Sequence, residues 1–286
     1  MIPDSRCNRV YFSAKLPEAC PKTYLGLIDI LDLYGVPHSL LKRTKDIWCR
    51  DYMPVQNTEE SFIAFGYRPD YLMDTRKHRA TITDGYNAAV SNHFFNLSDF
   101  RHVIVDGGNL VHCGSKAIMT AKVFEENPWM DAEELCRLLR TRLDAEIIFL
   151  PWDTEEIFGH TDGLVRFIDE DTVLMTNYEQ VDKRMAERFR RILKARFKNV
   201  AELHYKGRHS SEHSWAYVNW LQTDRVLIIP KFGIPEDEQA LEQISALMPD
   251  YKGRIEMVDA TDLICHEGCL NCASWTVYDP KEDLPF

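Results

Sequence analysis

The 286-residue sequence has no apolar run near the length of a membrane-spanning helix, so no membrane partner is expected. Its opening residues, Met1-Ile2-Pro3-Asp4-Ser5-Arg6-Cys7, lack the apolar segment of an export signal, and the expected compartment is the cytoplasm. Basic residues are outnumbered: 34 Lys and Arg against 45 Asp and Glu leave a net charge of −11. The basic footprint of a nucleic-acid binder is missing, while an acidic protein field attracts cations. There is no Gly/Ser/Pro-rich linker, no low-complexity run and no sequence repeat of fixed period, so residues 1–286 are expected to form a single domain. Eight cysteines are present, but they are spread through a full-sized chain and read as reduced thiols rather than a disulfide framework.

What is present is an alternation of strand-like and helix-like segments, the mark of the α/β class. Residues 8–13, 61–65, 101–105, 145–150, 172–176, 226–230 and 254–258 read as strands. Residues 21–34 carry Leu25, Leu27, Ile28, Ile30, Leu31 and Leu33 at helical spacing, with Gly35 as a stop signal. Asp131 stands at a capping-box spacing before a helix expected to run to Leu143. Residues 184–197 read as a basic amphipathic helix with Met185, Phe189, Ile192 and Leu193 on one side, and residues 235–248 as another helix. Residues 67–78 read as a long loop.

Small polar clusters interrupt this pattern at four places: Arg50-Asp51, Asp106-Gly107-Gly108-Asn109, Gly159-His160-Thr161-Asp162-Gly163, and Cys265-His266-Glu267-Gly268-Cys269-Leu270-Asn271-Cys272. Loops at strand ends are where α/β scaffolds carry their functional groups. In the third cluster, two glycines bracketing His160 and Asp162 imply a close backbone approach, with both side chains on one face if the segment is extended. Cys265, Cys269 and Cys272 have a C-x3-C-x2-C spacing compatible with an iron–sulfur cluster or, with His266, zinc. Structural zinc sites, however, usually pair two separated ligand couples. The other chemistry is a cysteine nucleophile, which takes a histidine from elsewhere in the chain. Carboxylates beside such a pair suit a planar cation: a guanidinium presents paired N–H donors that carboxylates grip bidentately. At this point both chemistries stand.

Five segments, in order, resemble the motifs of the agmatine deiminase and Porphyromonas-type peptidylarginine deiminase family. Trp48-Cys49-Arg50-Asp51-Tyr52-Met53-Pro54 is similar to its W-x-R-D-x-x-P motif and Asp106-Gly107-Gly108-Asn109 to its acid-Gly-Gly motif. Gly159-His160-Thr161-Asp162-Gly163 resembles G-H-x-D, Ala216-Tyr217-Val218-Asn219-Trp220 the S/A-Y-x-N segment, and Leu270-Asn271-Cys272-Ala273-Ser274 the terminal x-H-C-x-T. The resemblance implies a five-bladed α/β propeller (pentein) of pseudo-fivefold ββαβ units, needing neither metal nor organic cofactor. It implies Cys272 as nucleophile and His160 as general acid and base, with Asp162, Asp51 and Asp106 as active-site acids. Asp51, Asp162, Asp106, Trp48, Asn219 and Gly108 are the implied substrate-binding residues. The implied substrate is a small cationic guanidino compound, agmatine first, with arginine and peptidyl arginine as alternatives and a non-catalytic guanidinium-binding protein as a further one. A homodimer is the assembly left open. One motif position differs: where the family carries His before the nucleophile, Asn271 stands here.

Overall fold

The computed structural model describes residues 1–208 and 215–282. The chain begins with β1 (Arg9–Ser13), the helix Pro21–Leu33 and β2 (His38–Leu41). A pattern of two strands, a helix and a third strand then recurs. It runs through β3 (Val55–Gln56), β4 (Phe62–Gly66), the helix Gly85–Ser91 and β5 (Leu97–Ile104). Next come β6 (Val111–Cys113), β7 (Lys116–Thr120), the helix Ala132–Leu143 and β8 (Glu146–Leu150). The third run is β9 (Val165–Phe167), β10 (Thr172–Met175), the helix Lys183–Lys194 and β11 (Asn199–Glu202). The fourth is β12 (Leu221–Gln222), β13 (Leu227–Lys231), the helix Glu236–Leu247 and β14 (Ile255–Asp259). Finally β15 (Ser274–Val277) returns to pair with β1.

These strands make five three-stranded mixed sheets with one design. In each, the central strand pairs antiparallel with one neighbour and parallel with the strand that follows the helix, as β7 does with β6 and β8. The β15–β1–β2 sheet joins the two ends of the described chain, with Arg9 opposite Val277 and Val10 opposite His38. The fixed period absent from the sequence therefore exists in the backbone: first strands begin at Val55, Val111, Val165, Leu221 and Ser274, about 55 residues apart.

Alternation along the central strands explains how the sheets fit together, because successive side chains leave a strand on opposite faces. Ala117 and Met119 of β7 join an apolar cluster with Phe65 of β4, whereas Ile118 joins Val173 of β10. Leu174 of β10 packs with Leu227 and Ile229 of β13, and Ile228 of β13 with Phe12 of β1. Trp275 of β15 and Phe62 of β4 belong to a fifth cluster, which closes the cycle. Each sheet is thus held between two apolar cores shared with its neighbours. Burying one such side chain contributes roughly 1.5–3 kcal/mol.

The helices cover these cores. Ala132–Leu143 starts where Asp131 accepts hydrogen bonds from the Glu133 and Glu134 amides, and it buries Leu135, Leu139 and Leu143. Lys183–Lys194 is capped by Asp182 and buries Ala186, Phe189 and Leu193, leaving its basic face to solvent. Three sequence expectations shift: β5 begins at Leu97 rather than 101, and the stretch 67–78 holds the 3-10 turn Asp70–Leu72 and the start of the helix Arg76–Arg79. The segment Thr161–Gly163 is a 3-10 turn rather than extended. Gly159 does meet a close neighbour, with φ +62° and a Cβ position 2.6 Å from Lys122 Cδ, but Gly163 has no atom within 4 Å of its own.

Candidate active site

Immediately before each of the five first strands the chain makes a short turn. These turns are Cys49–Tyr52, Gly107–Asn109, Thr161–Gly163, Ala216–Val218 and the residues around Cys272. Hydrogen bonds tie them into a closed ring. The Gly108 amide donates to Asp51 Oδ1 at 2.9 Å, and Thr161 Oγ1 donates to Asn109 Oδ1 at 2.9 Å. Asn219 Nδ2 donates to the Asp162 carbonyl at 3.4 Å, and the Asn271 amide to the Asn219 carbonyl at 3.2 Å. The Arg50 amide completes the ring by donating to the Cys272 carbonyl at 3.1 Å. The ring brings together residues that span more than 200 positions of sequence.

A cavity of about 740 Å³ opens onto one side of this ring. Trp48, Asp51, His160, Asp162, Asn219 and Cys272 all line it. Asp106 and Gly108 do not. Asp106 lies behind the histidine, accepting from His160 Nε2 at 3.2 Å and from the Tyr71 hydroxyl at 3.3 Å. Gly108 lies beneath, where a Cβ would meet His160 Nδ1 at 2.6 Å and Asp51 Oδ1 at 2.7 Å. Only glycine lets the backbone pass this close.

Cys272 Sγ donates to Asp162 Oδ2 at 3.3 Å and receives a hydrogen bond from Asn219 Nδ2 at 3.1 Å. The Asn219 carboxamide oxygen in turn accepts from the Asn271 and Cys272 amides, which fixes the turn that carries the thiol. Burial, then the charges of Asp162 and Asp51, hold the thiol pKa well above its ordinary value. His160 behaves oppositely. Burial opposes its charge, but Asp51, 3.7 Å from Nδ1, and the hydrogen bond to Asp106 outweigh it and push the imidazole up to about 10. Burial pushes Asp51 up to about 7, with His160 opposing and Asp106 and Asp162 adding to the shift. The site thus pairs a neutral thiol with an imidazolium across a cavity bordered by acids.

Several residues here carried no sequence signal. Tyr71 and Phe158 pack against the His160 ring with centroids at 6.4 and 6.1 Å. Lys122, 1% exposed, lies 5.0 Å from the Tyr71 ring and 5.3 Å from the Trp152 ring, and donates to Asp70 Oδ1 at 2.9 Å and to the Ile157 carbonyl. It thereby holds the two segments that flank the cavity. Glu126 is buried with one carboxyl oxygen unpartnered, and burial and Asp106 push it up to about 9. None of them falls in one of the four polar clusters, and they share no spacing that would single them out. The three cysteines of the terminal cluster do not form a ligand set. Cys265 is exposed and donates to the Thr261 carbonyl at 3.2 Å, while Cys269 and Cys272 are buried. Among the described residues no group of three or more His, Cys, Asp or Glu is arranged to hold a metal ion. None of their helices is long and apolar enough to cross a membrane.

Five mixed sheets around a cavity that gathers Cys272, His160 and several acids define an α/β architecture that solved structures share. The structure is similar to a C. jejuni agmatine deiminase, with a TM-score of 0.73 and 19% identity over 97% of this chain and 95% of that one. It is similar to the agmatine deiminase of Enterococcus faecalis, with a TM-score of 0.74 and 17% identity over 97% and 95% of the two chains. A DDAH from Pseudomonas aeruginosa complexed with citrulline gives a TM-score of 0.62 and 13% identity over 95% and 99%. At such identities the likeness is one of fold. No curated protein matches the sequence. The sequence profile of the Porphyromonas-type peptidyl-arginine deiminase family matches residues 27–277, and the chain belongs to that family.

Proposed function

We propose that the protein is a deiminase that hydrolyses the guanidino group of agmatine to the ureido product N-carbamoylputrescine and ammonia. The observation that carries this reading is the charge of the cavity wall. Asp46, Asp51, Glu156, Asp162 and Glu267 line it, and among the described residues no Lys or Arg does. Five acids outnumber the His160 imidazolium, so a guanidinium with an aminoalkyl tail meets a net negative wall. The α-carboxylate of free arginine meets repulsion from those acids and, among the described lining residues, no Lys or Arg to pair with. Trp48, Tyr71, Phe158 and Ile264 supply apolar surface for a methylene chain.

In this reading Asp51 and Asp162 grip the guanidinium with charge-assisted hydrogen bonds. The cation offsets the two charges that hold the Cys272 thiol up, so substrate binding favours the thiolate, and the thiol proton passes to solvent because His160 is already protonated. The sulfur attacks the central carbon and forms a neutral tetrahedral adduct. His160, protonated by virtue of Asp51 and Asp106, gives its proton to one nitrogen, the C–N bond breaks, and ammonia leaves a thiouronium cation. Neutral His160 then takes a proton from water as the oxygen attacks the same carbon. The C–S bond breaks, the thiolate is restored, and the urea and one proton are released.

The five repeated sheets, the shared cores and the closed ring of turns support a five-bladed propeller formed by one domain across residues 1–286. The eight cysteines, all free thiols, support a reducing compartment such as the cytoplasm. Ammonia release from agmatine, arginine and a blocked arginyl peptide tests the function. Agmatine turnover with arginine poorer by on the order of 100-fold in kcat/KM is expected from like-charge repulsion. Equal turnover of arginine, or binding without ammonia from any of the three, overturns the reading.

A further inference from the structure

Behind the wall that carries Asp162 lies a row of polar side chains that the reaction above does not use. Asp162 Oδ2 accepts from Asn271 Nδ2 at 2.7 Å as well as from the Cys272 thiol. Asn271 Oδ1 accepts from Arg166 Nη1 at 2.8 Å, and Arg166 Nη2 donates to Asp4 Oδ2 at 2.7 Å. Arg166 also lies 5.4 Å from the Trp220 ring centroid. Asp162, Asn271 and Arg166 are 1%, 3% and 3% exposed, so water does not compete for these bonds.

The chemistry of the ends decides the orientation of the amide between them. A guanidinium only donates and an ionised carboxylate only accepts, so the Asn271 oxygen must face Arg166 and its NH2 must face Asp162. The buried cation polarises the amide and strengthens the bond it makes to Asp162. Asn271 fills the motif position where the family carries His. We propose that Asn271, held by Arg166, is a positioning residue of this site: it aims Asp162 so that Oδ2 faces the thiol and Oδ1 is left to the guanidinium. The inference rests on the deiminase reading.

Asn271→Asp tests it, because the variant keeps the size and can still pair with Arg166 while setting one carboxylate against another. Removing a hydrogen bond to a buried charged group implies a fall of about tenfold to a hundredfold in agmatine kcat/KM at pH 8. The melting temperature falls as well at pH 8, where both buried carboxylates are charged, so kcat/KM is read below the onset of melting. Two carboxylates this close share a proton as pH falls, and the protonated form at position 271 restores a donor to Asp162. The groups facing that pair are Arg166, Asp4 and Arg50, whose Nε donates to the Asn271 carbonyl at 3.4 Å, on one side and Cys272, Asp51 and His160 on the other. The deficit relative to the unsubstituted protein therefore narrows from pH 8 to pH 6, which a space-filling role would not produce. Asn271→His, which supplies one donor and one acceptor, retains kcat/KM within severalfold. A deficit independent of pH, or no deficit, overturns the inference. If Asn271→Asp does not fold, Arg166→Lys gives the second arm: it is expected to lower kcat/KM severalfold, and an unchanged value refutes the relay. If the unsubstituted protein releases ammonia from no guanidine, the deiminase reading has failed instead. Alkylation of Cys272 by iodoacetamide, followed by peptide mass, then reads the relay without turnover. The charge added in Asn271→Asp is expected to slow it several-fold at pH 8, and an unchanged rate overturns the inference.

Discussion

His160 Nε2 and Asp106 Oδ2 stand 3.2 Å apart, and the cavity is lined by the histidine but not by the acid. In the proposed reaction Asp106 acts through the imidazole and not directly on substrate. In Asp106→Asn the anion that helps hold the imidazole at about 10 is gone, and the fraction of imidazolium at pH 8 to 9 drops. A loss of one unit corresponds to about 1.4 kcal/mol. The expected outcome is a basic limb of the kcat profile moved to lower pH by about a unit or more, with KM for agmatine changed less than kcat. A basic limb that stays where it is in the variant contradicts the proton-donor role of His160.

Asp51 sets the opposite limb. Its carboxyl, raised to about 7 chiefly by burial, is mostly neutral below that pH and then cannot hold a guanidinium by charge. The sign follows from the raised value: binding competence is gained as pH rises through about 7 and lost as it falls. Agmatine kcat/KM should therefore climb about tenfold per unit below pH 7 and flatten above it. Asp51→Asn, which cannot titrate, should lower kcat/KM and abolish that limb. A flat profile between pH 5.5 and 7.5 in the unsubstituted protein would argue against Asp51 as the guanidinium acid.

The close passage beneath these two residues gives a steric test. A methyl group at Gly108 falls 2.6 Å from His160 Nδ1 and 2.7 Å from Asp51 Oδ1, too near for either to keep its position. Displacing catalytic groups by a fraction of an ångström is costly, so Gly108→Ala should lose at least about a hundredfold in kcat/KM. Gly163 also borders the cavity, but its Cβ position is open, and Gly163→Ala should retain activity within severalfold. Similar kinetics for the two alanine variants would refute the packing described for Gly108.

How far the sequence announces this arrangement differs from element to element. The helix over 132–143 is legible because Asp131, the leucine spacing and the charge gradient all agree. The first strands are not, since Val55–Gln56 and Leu221–Gln222 are too short to carry any alternation. Those strands mark the frame of the repeat, so the fivefold pattern disappears with them. The turns ahead of them hide it further, because each has been given different chemistry: Arg50-Asp51, Gly107-Gly108, His160-Thr161-Asp162, Asn219 and Asn271-Cys272. The reacting groups stand out as polar residues at strand ends. Their supports do not. Arg166 sits inside a strand, Lys122 begins an ordinary helix, and Asn271 shows only as a departure from a motif.

The two buried cysteines of the terminal turn separate chemistry from packing. Cys272 contacts Asp162 and Asn219, so Cys272→Ala removes the proposed nucleophile while the ring of hydrogen bonds between the turns, including the one its own carbonyl accepts from Arg50, is kept. Ammonia release should fall to background with the melting temperature within a few degrees of the unsubstituted protein, since one small buried side chain shortened by a single atom costs on the order of 1 kcal/mol. Cys269 also lines the cavity but belongs to the apolar cluster of Phe12, Leu221 and Leu263, and burial pushes its thiol far up. A neutral thiol in apolar company serves as a small hydrophobe. Cys269→Ala should therefore lose a similar amount of stability while keeping kcat, read by parallel thermal melts and ammonia assays. Loss of turnover in Cys269→Ala with survival of turnover in Cys272→Ala would exchange their roles and move the nucleophile one turn upstream.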